Sequence, residues 1–360
     1  MAIEDKHPMN MRERSGVALL PKSRRAFIRL LAMLGVGFQA FARSGDVMGA
    51  ISEARTSPKT DDWPDMPHRK LGRTNFDASR LIFGCGAALS QGQAVSLLDI
   101  AFEAGINVFD VGGRRYYQDA EKYLAPFLKK TRDRVFLISK AKLYHGLDPE
   151  DAITVAQAKE GAQTWLAQMD ESLRELQVEN IDAYYIMGEN NPAMVRSDEM
   201  WEAFLTAKRA GKVEFFGVST HENAQNVLEA ATETGRYDLA QIAITPAGWY
   251  DWNSRRMLPG TPDMVTLAPV LAKAREAGIG LVGMKAGRYL AGRRWLGWGN
   301  PDAYDHLYDE NLMSAPLNSF QRSYAYVLEH GLDAVNADMQ TYEHLAENFV
   351  AAATSREYFS

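Results

Sequence analysis

Glu103-Ala-Gly-Ile-Asn-Val-Phe-Asp110, followed further on by Val135-Phe-Leu-Ile-Ser-Lys140, is the stretch on which the fold turns. Each segment carries an apolar run of strand length that stops at a charged residue, and residues 120–129 between them have helical periodicity. Strand, helix and strand in that order make a βα unit, and the same alternation continues on both sides. The strands expected are 81–83, 107–110, 135–139, 183–186, 214–218, 239–242, 280–283 and 334–337. Helices are expected at 93–103, 120–129, 163–176, 200–208, 223–234, 267–277, 320–328 and 342–353.

Eight such units without a change of composition predict an α/β fold closed into one (β/α)₈ TIM barrel, because an open doubly wound sheet of this length usually splits into halves. The GxGxxG fingerprint of the open fold is missing after the first strand, where Gly84-Cys85-Gly86 reads only as a turn. In a barrel the chemistry sits at the carboxyl ends of the strands. The polar residues there are Asp110, Lys140, Ser219 with Thr220 and His221, Gln241 and Lys285, while Met187 follows the fourth strand.

A carboxylate and a lysine on neighbouring strands at a buried mouth pair, since neither charge tolerates burial alone. Asp110–Lys140 reads either as a structural ion pair or as part of a site in which the ammonium lowers the pKa of a nearby phenol. Tyr116 and Tyr117, in the loop leaving the aspartate strand, are the two candidate phenols. Lone loop histidines such as His145 and His221 are more often surface residues than catalytic groups. No cluster of metal-ligand type accompanies them.

Composition narrows the function further. The 360 residues are 46% hydrophobic and 24% charged, enough for one large core, and a net charge of −6 offers no field for nucleic acid. One cysteine, Cys85, excludes an internal disulfide and any CxxC site, so redox work needs a dissociable cofactor. At the amino end, Ser23-Arg24-Arg25-Ala26-Phe27-Ile28-Arg29 precedes an apolar run from Leu30 to Ala42 that closes on Ala40-Phe41-Ala42. That order resembles a twin-arginine (Tat) export signal with cleavage after Ala42, too short to span a bilayer; an amphipathic helix with incidental arginines is the alternative. Residues 43–67 read as a linker, and the barrel is expected over 68–360. The mature protein is expected in the periplasm, with the Tat machinery as a partner and membrane contact only during export.

Several segments together resemble the aldo/keto reductase superfamily over residues 68 to 353. They are His68-Arg-Lys-Leu-Gly-Arg-Thr, Ser79-Arg-Leu-Ile-Phe-Gly, the Asp110 and Lys140 segments already quoted, Ser172-Leu-Arg-Glu-Leu running to Ile181-Asp182-Ala-Tyr, Gly211-Lys-Val-Glu-Phe-Phe-Gly-Val-Ser219, Gly278-Ile-Gly-Leu-Val-Gly-Met-Lys285, and Glu347-Asn348. The resemblance implies hydride exchange between a nicotinamide cofactor, NADP or NAD, and a small carbonyl or alcohol substrate. It assigns catalysis to Asp110, Lys140 and Tyr117, the tyrosine giving the proton. Cofactor contacts fall to Ser219, Gln241, Lys285, Gln340, Glu347 and Asn348.

The chain departs from the family pattern at four places. Arg115 stands where the tyrosine is usually found, and alignment from Asp119-Ala-Glu121 points to Tyr117 instead. Met187 replaces the histidine that orients the carbonyl, and a thioether cannot donate a hydrogen bond. Thr220 replaces an asparagine beside Ser219. Asp338-Met-Gln340 puts an acid where the adenosine phosphate would lie. The aromatic segments Trp249-Tyr-Asp-Trp252 and Arg288 to Trp298, with Arg293, Arg294 and Trp295, read either as barrel caps or as pocket walls for sugars and other ring compounds. Two functions follow: an exported oxidoreductase, or a non-catalytic periplasmic binding barrel derived from one.

Overall fold

In the computed structural model, Thr60 and residues 63–291 and 299–359 are described. The expected export signal at 1–42, residues 43–59, 61 and 62 of the expected linker, and Arg293, Arg294, Trp295 and Trp298 fall outside the described residues.

Eight parallel strands close on themselves. They are β3 (Leu81–Gly84), β4 (Val108–Asp110), β5 (Phe136–Ala141), β6 (Ile181–Ile186), β7 (Val213–Thr220), β8 (Leu239–Thr245), β11 (Gly280–Met284) and β12 (Ala334–Asp338). The ring is completed by parallel pairing of β7 with β8 and of β12 with β3. This is the expected TIM barrel, with every expected strand present. Alternation sets its two cores: along β4, Val108 packs with the inner cluster and Phe109 with the outer one beneath the helices. The next inward residue is Asp110, so the alternation that places Val108 inside also delivers the carboxylate to the mouth.

The lower end of the barrel is plugged by an antiparallel hairpin, β1 (His68–Lys70) with β2 (Asp77–Ser79), which the sequence reading did not anticipate. Its Leu71 is fully buried with the inner cluster and Phe76 packs beside it. Gly72, at φ +53, lies so close to β11 that a Cβ would come within 2.2 Å of the Gly280 nitrogen. Inside the barrel Tyr185 fills the centre because Gly217 on the next strand has no side chain; a Cβ there would be 2.1 Å from Tyr185 Cδ1.

Other differences are local. The helix expected at 163–176 spans Val155–Leu176, its start fixed by a capping box between Thr154 and Gln157. The Gly84-Cys85-Gly86 turn opens a short helix, Cys85–Leu89. The Trp249 segment forms β9 (Gly248–Asp251), antiparallel to β8, and pairs with β10 (Arg256–Met257), so this aromatic loop is a rigid extension over the mouth. Trp63 stacks on Tyr342 and Phe349 of the last helix, Tyr342–Thr354, so the end of the linker segment packs on the barrel.

Candidate active site

Four side chains from four strands meet at the top of the barrel interior. Lys140 Nζ donates to both oxygens of Asp110 at 2.6 Å and to Gln241 Oε1 at 3.0 Å. Gln241 Nε2 donates to Asp110 Oδ2 at 3.2 Å, and Asn336 Nδ2 donates to the same oxygen. All but Asn336, which is half-buried, are buried. Burial pushes the Asp110 carboxyl up, and the contacts from Lys140, Gln241 and Asn336 hold it back. The quartet rests on Tyr185, whose ring centroid is 5.7 Å from Lys140 Nζ and whose buried hydroxyl has no partner among the described residues.

Tyr117 lies over this quartet. The loop after β4 runs through Gly112 and Gly113 into a single turn, Arg114–Tyr117. A Cβ on Gly86 would come within 2.6 Å of Tyr117 Cε1 and Cζ. One on Gly112 would meet Tyr117 Cδ2 at 2.9 Å and Lys140 Cγ at 3.0 Å. The ring is therefore seated between two glycines beside the lysine stem. Tyr116, edge-on to it at 4.8 Å, is 43% exposed, whereas Tyr117 packs beside the lysine stem.

The expected electrostatic coupling is different. The Tyr117 phenol is pushed up, first by burial and then by the charge of Asp110, and no ammonium pulls it down. Lys140 spends its hydrogens on Asp110 and Gln241.

The residues expected to contact a cofactor divide. Ser219 Oγ accepts from the Gly188 N–H at 3.0 Å, which leaves its own hydrogen free to donate. Gln241 spends one lone pair of its oxygen and one hydrogen of its nitrogen within the quartet, which leaves one of each for a ligand. Lys285 sits at the mouth in a left-handed conformation, φ +71, with Nζ 4.2 Å above the Trp252 ring and no carboxylate within 4 Å among the described residues. Burial, against the opposing charge of Asp338, lowers its pKa to about 8. Gln340 donates to Asp338 Oδ2 at 3.1 Å near the end of β12. Glu347 and Asn348 lie on the last helix, apart from the quartet, with Glu347 exposed.

At the strand-four end Met187 is buried and donates only its backbone N–H, to Ala141. Of the two histidines, His145 is a loop anchor: Nδ1 accepts from Leu147 N–H at 3.0 Å and Nε2 meets buried Glu189 at 2.8 Å. His221 lies against Trp252, ring centroids 6.1 Å apart, and burial followed by the charges of Lys285, Lys142 and Lys140 lowers its pKa to about 3. It is a neutral donor and acceptor at the mouth.

Sequence reasoning missed Asn336, Lys142 and Asn190. Asn336 interrupts an apolar strand, which was a legible signal. Asn190 Oδ1 accepts from Thr220 Oγ1 and from the His221 and Glu222 N–H groups, so it shapes the loop that presents His221; only the fold could reveal that.

Comparison with known proteins agrees with the fold. Residues 80–284 match the profile of the aldo/keto reductase family. Two uncharacterized oxidoreductases of Bacillus subtilis are related: YrpG, 26% identical over 241 residues, covering 63% of this chain and 69% of that protein, and YqkF, 28% identical over 163 residues, covering 43% and 49%. Among solved structures, an aldo-keto reductase from Klebsiella pneumoniae in complex with NADPH superposes with TM-score 0.54 at 18% identity, covering 80% of this chain and 89% of that one. The thermostable aldo-keto reductase Tm1743 with the inhibitor epalrestat gives 0.54 at 19% identity, covering 79% and 94%. At these identities the structural matches speak for the fold.

Proposed function

This chain belongs to the aldo/keto reductase family, and we propose that it is an NAD(P)-dependent oxidoreductase interconverting an aldehyde or ketone and an alcohol, working in the periplasm after Tat export. The observation that carries the catalytic part is the Tyr117 ring seated beside the Lys140 stem above the buried Asp110–Lys140–Gln241–Asn336 quartet.

The donor set at the mouth suits a dinucleotide. Ser219 has a hydrogen to give a carboxamide, Lys285 is a cation with no ion pair among the described residues, and Asn348 on the last helix offers an amide for the adenosine end. When bound, the dinucleotide supplies the hydride. Tyr117 holds the proton for the carbonyl oxygen, because its raised pKa keeps the phenol protonated at any ordinary pH. The quartet fixes Lys140, and with it the floor on which the phenol rests. Tyr250 and Trp252 of the rigid β9 extension wall the mouth from solvent and give flat faces to a ring substrate.

Titration of the protein with NADPH and NADH, followed by quenching of tryptophan fluorescence, is expected to show saturable binding of one or both and to reveal the phosphate preference left open by Asp338. Failure of both to bind at millimolar concentration would transfer the proposal to a non-catalytic binding barrel, the reading that the buried thioether at Met187 favours. Export has its own test. Changing Arg24 and Arg25 together to lysine is expected to leave uncleaved precursor in the cytoplasm; continued delivery to the periplasm removes the Tat assignment.

A further inference from the structure

Beside Met187, where a carbonyl-orienting donor was expected and missing, the chain gathers positive charge. Gly188, at φ +57, has no side chain, and the space this leaves is bordered by Lys142 and His221. A Cβ there would lie 3.3 Å from Lys142 Nζ and 3.8 Å from His221 Nδ1. His221 in turn lies against Trp252, ring centroids 6.1 Å apart, and the same indole has Lys285 Nζ at 4.2 Å, with Arg255 and Arg288 each at 5.8 Å from the ring centroid. Lys142 Nζ has no hydrogen bond or ion pair among the described residues; its nearest aromatic contact is Tyr144 at 6.0 Å. Of the two acids next in chain to this group, Glu189 meets His145 Nε2 and Glu222 takes a hydrogen bond from Asn190 Nδ2, so Glu222 acts on Lys142 only through its charge, without an ion-pair contact.

We propose that this mouth selects carbonyl substrates bearing an anionic group, a carboxylate or a phosphate, held between Lys142 and Lys285 with neutral His221 donating and Trp252 as the flat wall. Half-buried cations without partners are costly to the free protein, and an arriving anion removes that cost while gaining charge-assisted hydrogen bonds. The same cluster explains why Met187 is tolerated, since the charged substituent, not the carbonyl oxygen, would anchor the substrate. A diphosphate of the dinucleotide has the same chemistry as such a substrate and is the alternative source of the anion. The proposal rests on the reductase reading only for the word substrate; the cluster binds its anion whether or not turnover occurs.

Calorimetric titration of the full-length protein with 4-(hydroxymethyl)benzoate and with its methyl ester isolates the charge, because the two differ only at the carboxylate and neither reacts with lysine. The acid is expected to bind at least about tenfold more tightly, the lower end for a hydrogen bond to a charged group. The ratio should fall towards one in Lys142→Met, and Lys285→Met should reduce it independently. Equal binding of acid and ester by the unaltered protein, or a ratio unmoved by both substitutions, overturns the proposal. Repeating the titration at saturating NADPH separates the sources: an undiminished acid preference supports a substrate anion, and competitive loss of it overturns the substrate assignment in favour of the diphosphate. Absence of NADPH binding with the acid preference intact would refute the reductase reading and leave the anion site standing.

Discussion

Lys140→Met will lower the unfolding free energy by about 3–5 kcal/mol and abolish turnover, because removing one partner of a buried pair leaves the other charge uncompensated. Asp110 would keep Gln241 and Asn336 as donors, but these are neutral and replace only part of the ammonium. Adding Asp110→Asn removes the stranded charge. The new amide can accept from Gln241 and Asn336 and donate to Gln241 Oε1, which loses its lysine donor in the single variant. Most of the stability should therefore return, while turnover should not. Urea unfolding of the single and double variants, together with NADPH oxidation over a panel of aldehydes, checks both halves. A double variant as active as the unaltered protein would make Asp110–Lys140 a structural pair that merely closes the barrel top.

That structural alternative arose because sequence gives charges at strand ends but not their company. The strands themselves were legible: each is a short apolar run stopped by a polar or small residue, and eight of them have nowhere to go but a closed sheet. The amino-terminal hairpin was not. Arg69, Lys70 and Arg73 make residues 68–74 look solvated, and its purpose depends on Leu71 and Phe76 entering the barrel from below, a contact between distant parts of the chain. The third helix begins at Val155, earlier than its large apolar residues, because Thr154 and Gln157 cap it; its first turns carry mostly alanine and polar residues and so give little periodicity.

At the site, the rule of looking at strand ends found Asp110, Lys140 and Gln241 and failed at Asn336. Asn336 lies inside β12, level with Met284 and Ile82, and reaches Asp110 only because the barrel closes β12 against β3 and its neighbour β4. The choice between Tyr116 and Tyr117 was undecidable from two adjacent letters. The proposal of Tyr117 rests on Gly86 and Gly112, whose missing side chains leave the space that the Tyr117 ring fills. The lowering of the phenol expected from the lysine is absent for a physical reason: an ammonium already neutralised by a carboxylate at 2.6 Å has little field left to stabilise a phenolate, and burial with Asp110 then pushes the phenol up.

This last point makes the consequences of Tyr117→Phe sharper. Its ring packs through carbon atoms against Gly86, Gly112 and Lys140, so phenylalanine keeps the packing and removes only the hydroxyl. Loss of a general acid costs on the order of 10³ in rate, and kcat for carbonyl reduction should fall accordingly while the dissociation constant for NADPH stays within about twofold, since a hydroxyl that holds no dinucleotide contributes nothing to its binding. Tyr116→Phe, at an exposed ring, should leave both unchanged. The pH profile supplies an independent check. Reduction needs the phenol protonated, and burial together with Asp110 holds its pKa above the ordinary phenol value, so kcat/KM for reduction should show no alkaline decline attributable to Tyr117 up to about pH 10. Oxidation of the alcohol needs the phenolate and should rise with pH across the same range. A Tyr117→Phe protein that reduces aldehydes at the original rate would pass the proton to another group at the mouth, of which neutral His221 is the nearest in kind.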